Sequence, residues 1–267
     1  MELFYRKYGD GPPLIIIHGL YGSSDNWISV GKELADNFRV YIIDQRNHGQ
    51  SIHRDEHDYN ALSEDLKEFM DQQGIEKASL LGHSMGGKTA MFFAAKYKER
   101  VSNLIVVDIA PVSYHSSEDK SHTIHYTILD SMAEIDLSAI SRREEADEKL
   151  KKNIPQDRLR QFLLKNLKRR KDGSFFWSLN INTIKKEFSK ILEGFDPENY
   201  GPNKEITGFP TLFIRGSRSA YITENTIPEI RRIFPYAEIA TIEDAGHWVH
   251  AEKQDEFIHT IRKFIFD

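Results

Sequence analysis

Gly82-His83-Ser84-Met85-Gly86 sets a serine between two glycines. The apolar run "KASLLG" (77–82) leads into it and "GGKTAMFFAAKY" (86–97) leads out. A strand, a tight turn and a helix in that order force the turn residue into an unfavourable backbone conformation and lift its side chain to the strand end. Glycine is needed on either side because a side chain there has no room. A hydroxyl so displayed, beside the N–H groups and partial positive charge of a helix start, suits attack on a carbonyl carbon.

A serine hydroxyl is a weak nucleophile until a base takes its proton. Of the 11 histidines, His247 in "EDAGHWVHAEK" is the best placed, in a turn after the last apolar strand and before the last helix. His250, three residues on, is its rival and fits better at the start of that helix. His83 lies inside the turn and is expected to point away from the hydroxyl. The base needs an acid to fix its tautomer. The segment "LFIRGSRSAYIT" (212–223) carries Ser217 and Ser219 but no acid. Asp108, closing "LIVVD", is therefore the expected partner, since an aspartate at the end of an apolar strand needs a hydrogen-bonded partner such as an imidazole. Glu224 and Asp244 are the alternatives, and Ser219 could lend the acid or the histidine a second bond. A tetrahedral oxyanion also needs donors. The N–H groups of Met85 and of Leu20, in the loop after "PLIIIHG", are the expected pair, with His18 holding that loop.

These residues require a particular frame. Buried strand patterns fall at 13–19, 38–44, 77–82, 101–111, 209–216 and 237–248, with amphipathic helices at 62–74, 86–97 and 251–266. Their alternation implies an α/β fold with a mostly parallel sheet covered on both faces. The rhythm fails between 112 and 205, where polar helical segments surround the aromatic stretch "GSFFWSLNI" (173–181). This reads as a helical cap, 112–205, inserted into a core domain of residues 1–111 and 206–267. Tyr114, Phe175, Phe176, Trp177 and Trp248 are candidate walls of the substrate pocket, although the aromatic residues would serve equally as the cap's own core. "DQRNHGQS" (44–51) reads as a loop held by side chain–backbone bonds. The spacing of His48, His53 and His57 matches no metal motif.

The 267 residues suffice for one large domain with an insertion. The net charge of −5 leaves no basic excess for nucleic acid. The absence of cysteine excludes disulfides, thiolate metal sites and a cysteine nucleophile. The first residues do not read as a signal peptide and no apolar run is long enough to span a membrane, so a cytoplasmic monomer or weak dimer is expected.

The segments "DQRNHGQS", "GHSMGGKTAM", "VVDIAPVSYH" and "AGHWVHAEKQ", in this order, are what the sequence shares with a known family. Over essentially its full length the chain resembles the α/β-hydrolase superfamily. Within it, these segments are similar to the bacterial YbfF-like carboxylesterase group and to the mitochondrial ABHD-eleven type. The resemblance implies the α/β-hydrolase fold with a helical cap inserted after the sixth strand. It implies an acid at Asp108, an assisting serine at Ser219 and oxyanion donors at Leu20 and Met85. It also implies hydrolysis of short- to medium-chain acyl esters and of acyl-CoA thioesters, with no cofactor and no metal. The alternatives are another serine-triad reaction, such as carbon–carbon cleavage or peracid formation, and a slow-turnover binding or receptor protein on the same fold.

Overall fold

The computed structural model describes residues 2–115, 120–195 and 205–267. Its main sheet has seven strands: β1 (Tyr5–Tyr8), β2 (Pro13–Ile17), β3 (Arg39–Ile43), β4 (Ala78–His83), β5 (Val101–Val107), β8 (Thr211–Gly216) and β9 (Glu238–Ile242). A separate antiparallel hairpin joins β6 (Leu167–Arg169) to β7 (Phe175–Trp177). The helices are α1 (Ile28–Leu34), α2 (Tyr59–Gln72), α3 (Met85–Lys96), α4 (Lys120–Ala133), α5 (Arg143–Lys151), α6 (Asp157–Leu164), α7 (Ile181–Lys186), α8 (Phe188–Leu192), α9 (Ile227–Ile233), α10 (Val249–Glu252) and α11 (Gln254–Phe266).

The spatial strand order is β1-β3-β2-β4-β5-β8-β9, and only the edge strand β1 runs antiparallel to its neighbour. Near-continuous apolar runs form the parallel strands because both faces of the sheet are covered. Alternate residues go to opposite sides. Ile15, Ile17, Leu80, Leu104 and Val106 pack with Leu66, Phe69 and Met70 of α2, Met91 and Phe93 of α3, and Ile230 and Ile233 of α9. Leu14, Ile16, Leu81, Ile105 and Val107 pack with Val30 and Leu34 of α1 and with Phe257, Ile258 and Ile261 of α11.

From β2 the chain crosses to β3 on one side and returns to β4 on the other. The turn after β2 and the turn after β4 therefore sit side by side at the carboxyl edge, where such sheets bind ligands. The elements α4 to α8 and the β6–β7 hairpin lie between β5 and β8. That insertion follows the fifth strand along the chain, not the sixth: five strands of the main sheet precede it, β1 among them. It shares a third apolar cluster with the sheet's edge, in which Leu129, Leu150, Leu163, Leu167, Ile184 and Phe188 meet Tyr21, Tyr59 and Met85.

Candidate active site

Ser84 stands between β4 and α3 at φ 53°, ψ −122°. A Cβ on Gly82 would collide with the Gly86 carbonyl, and one on Gly86 with the Ile17 carbonyl. The turn can therefore close only with glycine at both positions. A serine at a helix start ordinarily caps it with its hydroxyl. Here no side-chain cap is made, so the oxygen is not consumed by the helix. The backbone of Ser84 is held by Val107 O, at 3.0 Å from its N–H.

Asp108 follows β5 at φ 50° and is fully buried. Its Oδ1 accepts the Gly216 N–H at 3.2 Å. Its Oδ2 accepts the Ser219 hydroxyl and, at 2.8 Å, the Nδ1–H of His247. A proton on Nδ1 leaves the Nε2 lone pair as the basic site. Ser84 and His247 line one cavity of about 470 Å³. Among the described residues no hydrogen bond joins their side chains; such bonds are commonly long before substrate binds. The His247 ring is braced by Tyr221, 4.2 Å between centroids, and its backbone carbonyl accepts His83 Nε2–H at 2.9 Å.

His83 thus faces the loop of His247 rather than the serine hydroxyl. His250 stacks on Trp27 at 3.9 Å and its Nδ1 has no partner, so it is core packing rather than a second base. Burial lowers its pKa to about 3, and His83 is held well below the usual range for the same reason. Glu224 pairs with Arg215 and Asp244 with Arg218. Both acids are largely exposed, at 78% and 65%, and neither meets His247.

The loop after β2 lies against the serine: a Cβ on Gly19 would stand 3.0 Å from Ser84 Cβ. Tyr21 in this loop has φ 62°, and like Ser84 and Asp108 it holds a positive φ that side chains avoid. His18 donates from Nδ1 to Gly19 O at 2.8 Å and accepts Gln45 N–H at Nε2, 3.0 Å. Burial depresses its pKa, consistent with a neutral structural ring. Asp44 accepts the Ser24 and Gln50 N–H groups, and Arg46 grips Asp65 through two bonds. The 44–51 segment therefore works as scaffold. Among the described residues no group of His, Asp and Glu is arranged to hold a metal.

Two cavities meet at Ser84. The larger is lined by Leu20, Tyr21, Ile128, Phe162, His247 and Trp248 among others. The smaller, of about 40 Å³, is lined by Leu20, Met85, Lys88, Tyr59, Tyr114 and Phe188 among others. Trp248 and Tyr114 are thus wall residues, one in each. Phe175 and Trp177 line neither cavity. Phe175 is buried in the third apolar cluster, and Trp177 packs against that cluster while pairing with Leu167 across the hairpin. A cleft of about 990 Å³ near Asn60, Glu193 and Glu229 contains none of Ser84, Asp108 and His247.

The family described as alpha/beta hydrolase fold matches residues 12–254. The chain is 38% identical over 265 residues to the sn-1-specific diacylglycerol lipase ABHD11 of Danio rerio, covering 96% of this chain and 79% of that one. It is 32% identical to esterase YbfF of Escherichia coli strain K12, covering 96% and 93%. Among solved structures it superposes on a marine microorganism esterase with a TM-score of 0.92, 46% identity and 99% coverage of both chains. With that sheet, that turn and these relatives, the chain belongs to the α/β-hydrolase fold family, in the group that includes esterase YbfF.

Proposed function

We propose that the protein is a serine carboxylesterase. Ser84 Oγ attacks the ester carbonyl as His247 Nε2 takes its proton, and Asp108 holds the imidazole and stabilises the imidazolium. The N–H groups of Leu20 and Met85 receive the oxyanion. His247 then gives its proton to the alkoxide, so that an alcohol leaves and Ser84 is acylated. Water attacks the acyl-enzyme with His247 again as base, releasing the carboxylic acid and restoring the serine. No cofactor enters this sequence. Ser219 shares the load on Asp108.

The observation that carries this reading is the 2.8 Å bond from His247 to a buried Asp108, in a cavity wall shared with a serine whose hydroxyl caps nothing. The insertion between β5 and β8 acts as the cap over that wall: His125 and Ile128 of α4, together with Phe162 of α6, reach it. Short- to medium-chain acyl esters are the proposed substrates. Acyl-CoA thioesters form a second class, because Arg158 and Lys165 line the larger cavity and would receive a phosphorylated leaving group. The test is an acyl-chain series of p-nitrophenyl esters with the wild type and Ser84→Ala. Loss of the nucleophile is expected to cost on the order of 10⁶ in turnover. Turnover surviving in Ser84→Ala would refute the assignment.

A further inference from the structure

Lys88 is a buried charged group at this edge for which the esterase mechanism has no use. It sits one helical turn after Ser84, its N–H bonded to Ser84 O at 3.1 Å, and it is 1% exposed. Lysine is almost never fully buried without a partner. Its ammonium donates to a backbone carbonyl, that of Glu193. It otherwise lies over two aromatic faces, 4.8 Å from the centroid of Tyr114 and 5.7 Å from that of Tyr59. The tyrosine hydroxyls are turned to backbone carbonyls, Tyr221 O and Ile191 O. The rings, not the oxygens, therefore meet the cation. An ammonium has three N–H donors, and the bond to Glu193 O uses one of them.

The two cavities can be given different parts of the substrate. His247 must protonate the departing alkoxide, so the alcohol side has to lie against His247. His247 lines the larger cavity only. The acyl chain is then left with the smaller one, beside Met85 and Leu20, whose lining also includes Lys88. Its volume of about 40 Å³ favours the shortest of the acyl chains proposed above.

We propose that Lys88 is a specificity residue that receives the distal carboxylate of a short acyl group, so that the preferred substrates are half-esters of small dicarboxylic acids, of about succinyl length. The inference rests on the esterase reading and on the placing of the acyl chain that follows from it. Burial pushes the Lys88 ammonium down to about 7, with partial compensation from Glu193. An arriving carboxylate restores the charge and is itself neutralised. The free site therefore takes an acidic acyl group best below neutral pH. The other titratable side chains on this cavity are Tyr59 of α2, Tyr114, His125 of α4 and Tyr221, with Glu193 at its edge.

The experiment compares kcat/KM for p-nitrophenyl hemisuccinate and p-nitrophenyl butyrate, which match in length and differ in the terminal charge. The ratio cancels any pH dependence that the two esters share. In the wild type the hemisuccinate is expected to lead, and its lead to shrink from about pH 6 to about pH 9 as the lysine loses its proton. Lys88→Met should lower the ratio by about tenfold or more, the usual worth of a charge-assisted bond, and should abolish its dependence on pH. A pH dependence that survives in Lys88→Met would belong to another group and overturn the assignment. So would a ratio at or below one in the wild type, or both esters falling by the same factor in the variant, which a merely structural lysine would produce. If Lys88→Met does not fold, Lys88→Arg takes its place: it keeps the charge without titrating in this range, so the hemisuccinate should keep its lead while that lead stops changing with pH, and a pH dependence that survives overturns the assignment. Butyrate turnover lost in Ser84→Ala keeps the esterase reading standing whichever way Lys88 falls. Turnover of neither ester by the wild type would remove both.

Discussion

At Asp108, one carboxylate does two jobs in separate directions. Oδ1 ties the end of β5 to β8 through Gly216, while Oδ2 faces the imidazole and the Ser219 hydroxyl. Asp108→Asn keeps the size of the side chain but removes the charge and favours the wrong imidazole tautomer. The expected loss in kcat is about 10⁴. Asp244, also at positive φ but exposed and paired with Arg218, should become Asn with no kinetic change. A steady-state comparison of the two variants decides between them, and the reverse result would move the acid to Asp244. Ser219→Ala removes one of two donors from Oδ2 and should lower kcat by about tenfold, in line with a lost hydrogen bond to a charged group. An unchanged kcat would leave Ser219 as structure only.

The approach of α3 to β2 sets the geometry between elements. Gly86 lies where any Cβ would strike the carbonyls of Ile17 and His18. Gly86→Ala must therefore push the helix start away from the loop that carries Leu20. The expected cost is about 1–3 kcal/mol in unfolding free energy, with a fall in kcat that exceeds any change in KM. Wild-type urea midpoint and turnover would show that the contact is slack. This part of the fold was legible because glycines, strand and helix occur within a dozen residues. The candidate residues Ser84, Asp108 and His247 stood out for a related reason: each ends or follows an apolar strand. The rest depends on partners remote along the chain. Lys88 meets Glu193, and His83 meets the carbonyl of His247, pairs that no local pattern announces. The edge strand β1, Tyr-Arg-Lys-Tyr, carries no apolar alternation and shows itself only by pairing with β3. Phe175 and Trp177 have the composition of a pocket wall. The register of their hairpin, with Trp177 opposite Leu167, spends them on the insertion's own packing instead.

Across the whole molecule, the buried histidines make stability depend on pH. His48 and His57 lie 5.4 Å apart behind the loop after β2, each with Nε2 buried and without a partner. His250 and His83 are buried beside Trp27. Desolvation pushes His57 and His250 down to about 3, and His48 and His83 well below the ordinary 6.5. Between about 3 and 6.5 the unfolded chain therefore binds protons that the folded chain refuses. Excess protons in the unfolded state make stability rise with pH. The histidine contribution is thus complete above 6.5 and is lost progressively as the pH falls below it. Lys88 acts in the same direction at higher pH, between about 7 and its ordinary 10.5. Urea midpoints should accordingly fall between about pH 7.5 and about pH 5, before exposed carboxylates titrate, with uptake of more than one proton on unfolding. His57→Leu replaces an unpartnered buried nitrogen by an apolar group and should reduce that uptake by about one proton. A midpoint that holds steady over this range would mean that these rings take up protons inside the fold, and with it the neutral scaffold behind Leu20 would have to be abandoned.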